Sequence, residues 1–412
     1  MSKFLGDSLV YAVLGELAQL YSEHAAASKP EHVDIENRFS FVMNDTPEGD
    51  KQLEVRGDEP GVIKGLHAGV PDPNPSEEEI DQSIKKAFVS LDSLLVNDIV
   101  ETVLEERVLK EEGVRLLALA NAGSCALMAV YNNVKRTLKV ALTGDSRAVL
   151  GRRVAVKEDI YAYETHVLSA DQNGHNPREV ERLEAAHPGE KMFEKGRVLG
   201  WGMSRAFGDA VCKWSLEIQQ RLHEEYLGDK PRANCLTPPY FTAEPEITTT
   251  IIRKGDFVVL ASDGLWDCLT SEEVVGLVGG WLETRGEEVK IEKGEGIGEG
   301  EMVMLPFGQV GHSGQTAMTG FGKGKGYGWP EGSNDGARKE NETAVWERTD
   351  LPVTSLKPDD TQMYKWWRAT KRFVNIDANA AVHLTRNALG GADRDLTGAL
   401  LRLSSPRSRR YR

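Results

Sequence analysis

The stretch "LKVALTGDSRAVLGRR" (138–153) sets two short apolar runs on either side of Gly144-Asp145-Ser146-Arg147. Each run is apolar, partly β-branched and bounded by turn residues, so it reads as a buried strand. The residues between them read as the turn of an antiparallel hairpin. Strand-like runs lie on both sides, "ALMAVYN" (126–132) before and "YETHVLSAD" (163–171) after, and strands resume in "EITTTIIRKGDFVVLASDG" (246–264). Many strands thus follow one another without an intervening helix. That order points to antiparallel pairing in an α+β layered sandwich, not to βαβ winding.

Helices occupy other blocks. "FLGDSLVYAVLGELAQLY" (4–21) repeats Leu5, Leu9, Val13, Leu17 and Leu20 at helical spacing, and Asp7 and Glu16 interrupt it, so it reads as an amphipathic core helix and not a membrane span. The Pro-Ser-Glu-Glu-Glu run at 75–79 opens a helix whose expected buried face holds Ile84, Ala87, Phe88, Leu91, Leu94, Leu95 and Val103. "NPREVERLEAAHPGE" (176–190) predicts a short helix with Asn176 as N-cap and Pro177 first. "TSEEVVGLVGGWLE" (270–283) predicts another, capped by Thr270 or Ser271 with Glu273 near the capping-box position. "NIDANAAVHLTRNALGG" (375–391) predicts a helix ending at a Gly pair. Between the last two, residues 281–345 hold 15 of the 41 glycines and few large apolar residues, a composition expected of a disordered insertion.

The 412 residues are 40% hydrophobic and 28% charged, with a formal net charge of -14. A surface of that sign repels phosphate backbones and argues against nucleic-acid binding. Four cysteines lie far apart with no CxxC pair, which excludes a zinc ribbon and a disulfide framework. No apolar run reaches spanning length, and no secretory signal or Arg-rich transit peptide is visible.

The chemistry-bearing residues are acids at strand ends. Asp145 follows one apolar strand, and in "LASDGLWDCL" (260–269) Asp263 and Asp267 follow another, four residues apart. Turn chemistry alone accounts for any one of them. Acids projecting from one sheet edge are what a hard-cation site for Mg²⁺ or Mn²⁺ needs. The glycines of "RVLGWGMSRAFGDAVCK" (197–213) are too irregular for a dinucleotide fingerprint, and no GxxxxGK[ST] or G-x-S-x-G occurs. The nine histidines are scattered without metal-ligand spacing, as surface or packing residues would be.

Four blocks in order, "ALTGDSRAVLGRR", "LSADQNGHNPREVERLEAAHPGE", "RVLGWGMSRAFGDAVCKW" and "TAEPEITTTIIRKGDFVVLASDGLWDCLTSEEVV", resemble the type 2C metal-dependent protein phosphatases. "GSCALMAVYNN" (123–133) resembles the strand before the first block, and "NAAVHLTRNALGG" with "SRRYR" resembles the mitochondrial pyruvate dehydrogenase phosphatase-like branch. The resemblance implies a four-layer α-β-β-α sandwich of two antiparallel sheets flanked by helices, incomplete here at both ends. It also implies a binuclear Mg²⁺ or Mn²⁺ centre and hydrolysis of phosphoserine and phosphothreonine without a phosphoenzyme. Asp263 matches a ligand of the binuclear pair, and Asp145, Asp263 and Asp267 match the acids of a third, weaker site.

The family's Asp-Gly-His-Gly-Gly block and its phosphate-gripping Arg, both N-terminal, are not in the 412 residues, nor is its C-terminal Asp pair. "PDDTQ" (358–362) imitates that pair but precedes the last helix. Residues 1–412 are accordingly expected to form a single phosphatase-like domain trimmed at both ends, with 281–345 inserted, and to be weak or inactive as a chain. The alternative is a non-catalytic phosphatase-like binding or regulatory protein. The expected partner is a phosphoprotein; the branch implies a pyruvate dehydrogenase complex component and the mitochondrial matrix, with the cytoplasm otherwise.

Overall fold

The computed structural model describes residues 1–27, 40–45, 51–56, 74–158, 160–285 and 345–408. The expected insertion 281–345 therefore lies outside the described residues from 286 to 344. The described residues fall into two compact units: one within Met1–Ala148 and Val167–Lys254, the other within Val149–His166, Gly255–Lys290 and Gly308–Arg412.

In the first unit, helix Ser2–Ala27 buries the expected stripe of Leu5, Leu9, Val13 and Leu17. Helix Glu77–Ser93 starts at a full capping box: the Ser76 hydroxyl accepts from Glu79 N–H, and the Glu79 carboxylate accepts from Ser76 N–H at 2.7 Å. Such a cap stabilises a helix by about 1 kcal/mol. Ile80, Ile84, Ala87 and Phe88 from this helix join the first helix's stripe, Met128, Val130 and Phe207 in one core cluster.

A π turn, Leu94–Asp98, separates this helix from Ile99–Glu105. The wider turn rotates the stripe. Leu94, expected on the buried face, is 49% exposed, while Leu95 and Val96 are buried. Val96, Val100 and Val103 then feed a second cluster with Trp214 and Tyr226.

The sheet of this unit runs Ala126–Asn132, Thr137–Thr143, Glu246–Ile251, all antiparallel, with Ala126 opposite Thr143 and Thr137 opposite Ile251. The central strand is buried along almost its whole length. Its one charged residue, Lys139, is held by Asp81 at 2.7 Å and Thr249 at 3.0 Å.

The second unit has its own three-stranded sheet, in the order Phe257–Ala261, Arg147–Lys157, Ile160–Val167. The hairpin expected at 144–147 is thereby corrected. Thr137–Thr143 and Arg147–Lys157 pair in different sheets, so the residues between them are a crossover. Residues 138–143 and residues 148–151 of the next strand are buried without alternation, a pattern that names no partner, while residues 152–157 turn toward solvent. The crossover is anchored by the fully buried Gln172: Gly144 N–H donates to its Oε1 at 2.7 Å, and its own N–H donates to Gly144 O at 3.0 Å.

Helix Ser271–Arg285 is capped by Thr270, whose Oγ1 accepts from Glu273 N–H at 3.2 Å while Glu273 accepts from Thr270 N–H at 2.8 Å. Gly279 lets Tyr163 lie against this helix, since a Cβ there would stand 2.4 Å from the ring. Tyr163, Leu269, Leu277, Phe373 and Leu384 share the core of this unit. The expected helix 375–391 is shorter, Ala380–Ala388, because the Asn379 side chain caps it, accepting from Ala381 N–H at 2.8 Å. It ends at Gly390 and Gly391, both at positive φ. The α+β class is borne out, with antiparallel pairing and helices in both units.

Candidate metal centre

Asp145 stands at the end of Thr137–Thr143, half-buried, and its Oδ1 accepts from the Cys125 thiol at 3.2 Å. Gly144 before it has φ of 114°, a conformation that favours glycine, and a Cβ there would meet Cys125 Sγ at 2.2 Å. Arg147, two residues on, grips Asp171 with Nε and Nη2 at 2.9 and 2.6 Å. Gln172 and Cys125 shape this turn, and neither stood out as a site residue in the sequence. Only the position of Gln172 inside "LSADQNGHN" hinted at it.

Asp263 opens the short helix Asp263–Trp266 directly after the strand Phe257–Ala261, and Asp267 N–H donates to Asp263 O at 2.7 Å. Four residues apart on one helical turn, the two carboxylates share a face, and both residues are exposed. Trp266 between them is buried, its Nε1 donating to Ala261 O at 2.8 Å, which fixes the turn on the strand.

Asp145 belongs to the first unit, Asp263 and Asp267 to the second. Among the described residues no three His, Cys, Asp or Glu side chains are gathered as a metal-holding group. The chemistry of the donors still fits the implied cation: all three are carboxylates, the hard oxygen ligands that Mg²⁺ and Mn²⁺ take.

Other acids have structural work. Glu179, in the expected helix Pro177–Ala186 with Asn176 as N-cap, is buried and paired with Arg205 and Arg182. Burial pushes its carboxyl up, but hydrogen bonds from Arg205, Arg182 and Ser204 outweigh it and hold the pKa at about 2. Asp209, buried near Lys213 and Asp92, is pushed by burial up to about 6. Asp359 of "PDDTQ" pairs with Lys371 at 3.0 Å, and Lys371 with Glu273 at 2.9 Å. His187 stacks on Tyr240 with centroids 4.4 Å apart, and His383 is fully buried beside Leu277 O, as packing histidines.

The chain falls in a known class. The protein phosphatase 2C family model matches residues 63–293, more than half of the chain, and the chain belongs to that family. It is 37% identical over 341 residues to a protein phosphatase 2C homolog of Schizosaccharomyces pombe, covering 82% of this chain and 61% of that protein. It is 31% identical over 358 residues to the mitochondrial pyruvate dehydrogenase (acetyl-transferring)-phosphatase 1 of Saccharomyces cerevisiae, covering 83% of this chain and 52% of that one. Against the Bos taurus protein of the same description, identity is 39% over 221 residues, covering 50% of this chain and 39% of that one. The chain thus spans between 39% and 61% of the length of these relatives.

Proposed function

We propose that this chain is part of a metal-dependent protein serine/threonine phosphatase. The observation that carries the reading is the family match, with Asp145 just past the buried strand Thr137–Thr143 and Asp263 and Asp267 on the short helical turn after the half-buried strand Phe257–Ala261. Mg²⁺ or Mn²⁺, when bound, supplies Lewis acidity to water and to the phosphoryl oxygens. The role of the chain is to hold the cation: Asp263 as a ligand of the binuclear pair, with Asp145 and Asp267 at the weaker third site. No side chain of the 412 residues is assigned as nucleophile, in keeping with direct attack by water. The substrate class is phosphoserine or phosphothreonine in a protein. Similarity to two pyruvate dehydrogenase phosphatases supports a pyruvate dehydrogenase component as substrate and the mitochondrion as location.

The deciding experiment measures Mn²⁺-dependent phosphate release from a phosphothreonine peptide. It compares the 412-residue chain, a version extended with the Asp-Gly-His-Gly-Gly and Asp-pair blocks, and Asp263→Ala in each. Activity in the extended version that Asp263→Ala abolishes supports the reading. Inactivity of both versions, with phosphopeptide binding retained, supports the rival reading of a non-catalytic phosphatase-like binding protein.

A further inference from the structure

Cys125 and Gln172 both bear on the turn that carries Asp145. Ala126 lies opposite Thr143 in the strand ladder, so Cys125 and Gly144, one residue beyond each, meet at its end. Gly144 packs so closely on Cys125 that a Cβ on it would stand 2.2 Å from Sγ and 2.6 Å from the Cys125 Cβ. On its other side Gly144 is fixed by Gln172, which also donates from Nε2 to Leu142 O at 3.1 Å. The backbone of the turn is therefore held by Gln172. On the carboxylate itself, the Cys125 thiol donates to Asp145 Oδ1 at 3.2 Å. Oδ2 of the same carboxylate lies over Gly202, where a Cβ would stand 3.7 Å away.

We infer that Cys125 is a positioning residue for cation binding by Asp145. The inference rests on the reading of Asp145 as a ligand and adds the residue that orients it. A neutral S–H is a weak donor, so it restrains the carboxylate without neutralising it. A carboxylate held in one rotamer loses less conformational freedom when a cation arrives, and partners of this kind are worth 10- to 100-fold in metal affinity. Glycine at 202 keeps the space beside Asp145 Oδ2 clear of a side chain. Serine at 125 would retain a donor, whereas alanine or valine would not.

The test is Mn²⁺ binding to the 412-residue chain, followed by electron paramagnetic resonance of free Mn²⁺, for wild type, Asp145→Asn, Cys125→Ala, Cys125→Ser and Cys125→Val. Melting without metal is recorded for each. Asp145→Asn is expected to lose a bound cation. Cys125→Ala is expected to weaken it about tenfold, the lower end for a supporting partner, and Cys125→Ser to stay within about threefold of wild type. If Cys125→Ala does not fold, Cys125→Val, close in volume and without a donor, carries the same expectation. Wild-type affinity in the alanine or valine variant overturns the proposal, as does a serine variant as weak as alanine. Equal binding by wild type and Asp145→Asn, or none by either, removes Asp145 as a ligand and the proposal with it.

Discussion

Arg205 and Glu179 form a buried ion pair across 26 residues of sequence, with Arg205 Nε 3.1 Å from both carboxylate oxygens. Arg205 also donates from Nη1 to Glu244 O at 2.9 Å, so one guanidinium ties helix Pro177–Ala186 to the segment entering strand Glu246–Ile251. Glu179→Ala strands two arginines without their carboxylate and is expected to cost about 3–5 kcal/mol in urea unfolding. Because the folded pKa of about 2 lies below the ordinary glutamate value of 4.5, the contribution of Glu179 is fully present above pH 4.5. It is lost as pH falls through about 2, and amounts to roughly 3 kcal/mol. A variant Glu179→Gln whose acid unfolding matches wild type would contradict this.

Asp209 carries the opposite sign. Its carboxyl is raised by burial to about 6 from 3.8, with Lys213 lowering it and Asp92 raising it. The folded state favours the protonated form, so this contribution is present below pH 3.8 and is lost as pH rises through 6. Asp209→Asn, which tolerates the left-handed backbone at this position, is expected to stabilise the chain at pH 7.5 by roughly 2–3 kcal/mol. Between pH 4.5 and 7 the wild type should lose stability while the variant does not, read from chemical denaturation at each pH.

Gly144→Ala should destabilise by at least about 2 kcal/mol, since alanine is strained at a φ of 114° and its Cβ would overlap Cys125 Sγ. Gly15→Ala, where nothing lies within 4 Å of a Cβ, is the control and should stabilise helix Ser2–Ala27 by up to about 1 kcal/mol.

Cation linkage gives a fourth outcome. Mn²⁺ at one hundred times its dissociation constant should add about 2.7 kcal/mol to the stability of the wild type. Asp263→Asn and Asp267→Asn should each reduce that gain. Both residues are exposed, so without Mn²⁺ the variants should melt within about 0.5 kcal/mol of wild type. Equal Mn²⁺ stabilisation in all three proteins would remove these residues from the cation site.

The sequence by itself determined whatever depends on neighbours along the chain. Ser76 with Glu79, Asn176 before Pro177, and Thr270 with Glu273 cap their helices as their spacing predicts, because a cap is satisfied within one turn. The stripe of Leu5, Leu9, Val13 and Leu17 is likewise set by helical period. The family, too, was legible in four ordered blocks. Tertiary structure decided what depends on partners far along the chain. Residues 138–143 and 148–151 are buried without an alternation that would mark a face, and only long-range pairing sends the two strands to separate sheets. Cys125 against Asp145, and Gln172 against Gly144, meet across 20 and 28 residues through the ladder and the crossover, contacts that no local spacing encodes. The acids at strand ends were readable one residue at a time; the groups that contact Asp145 and Gly144 came into view only where distant segments meet.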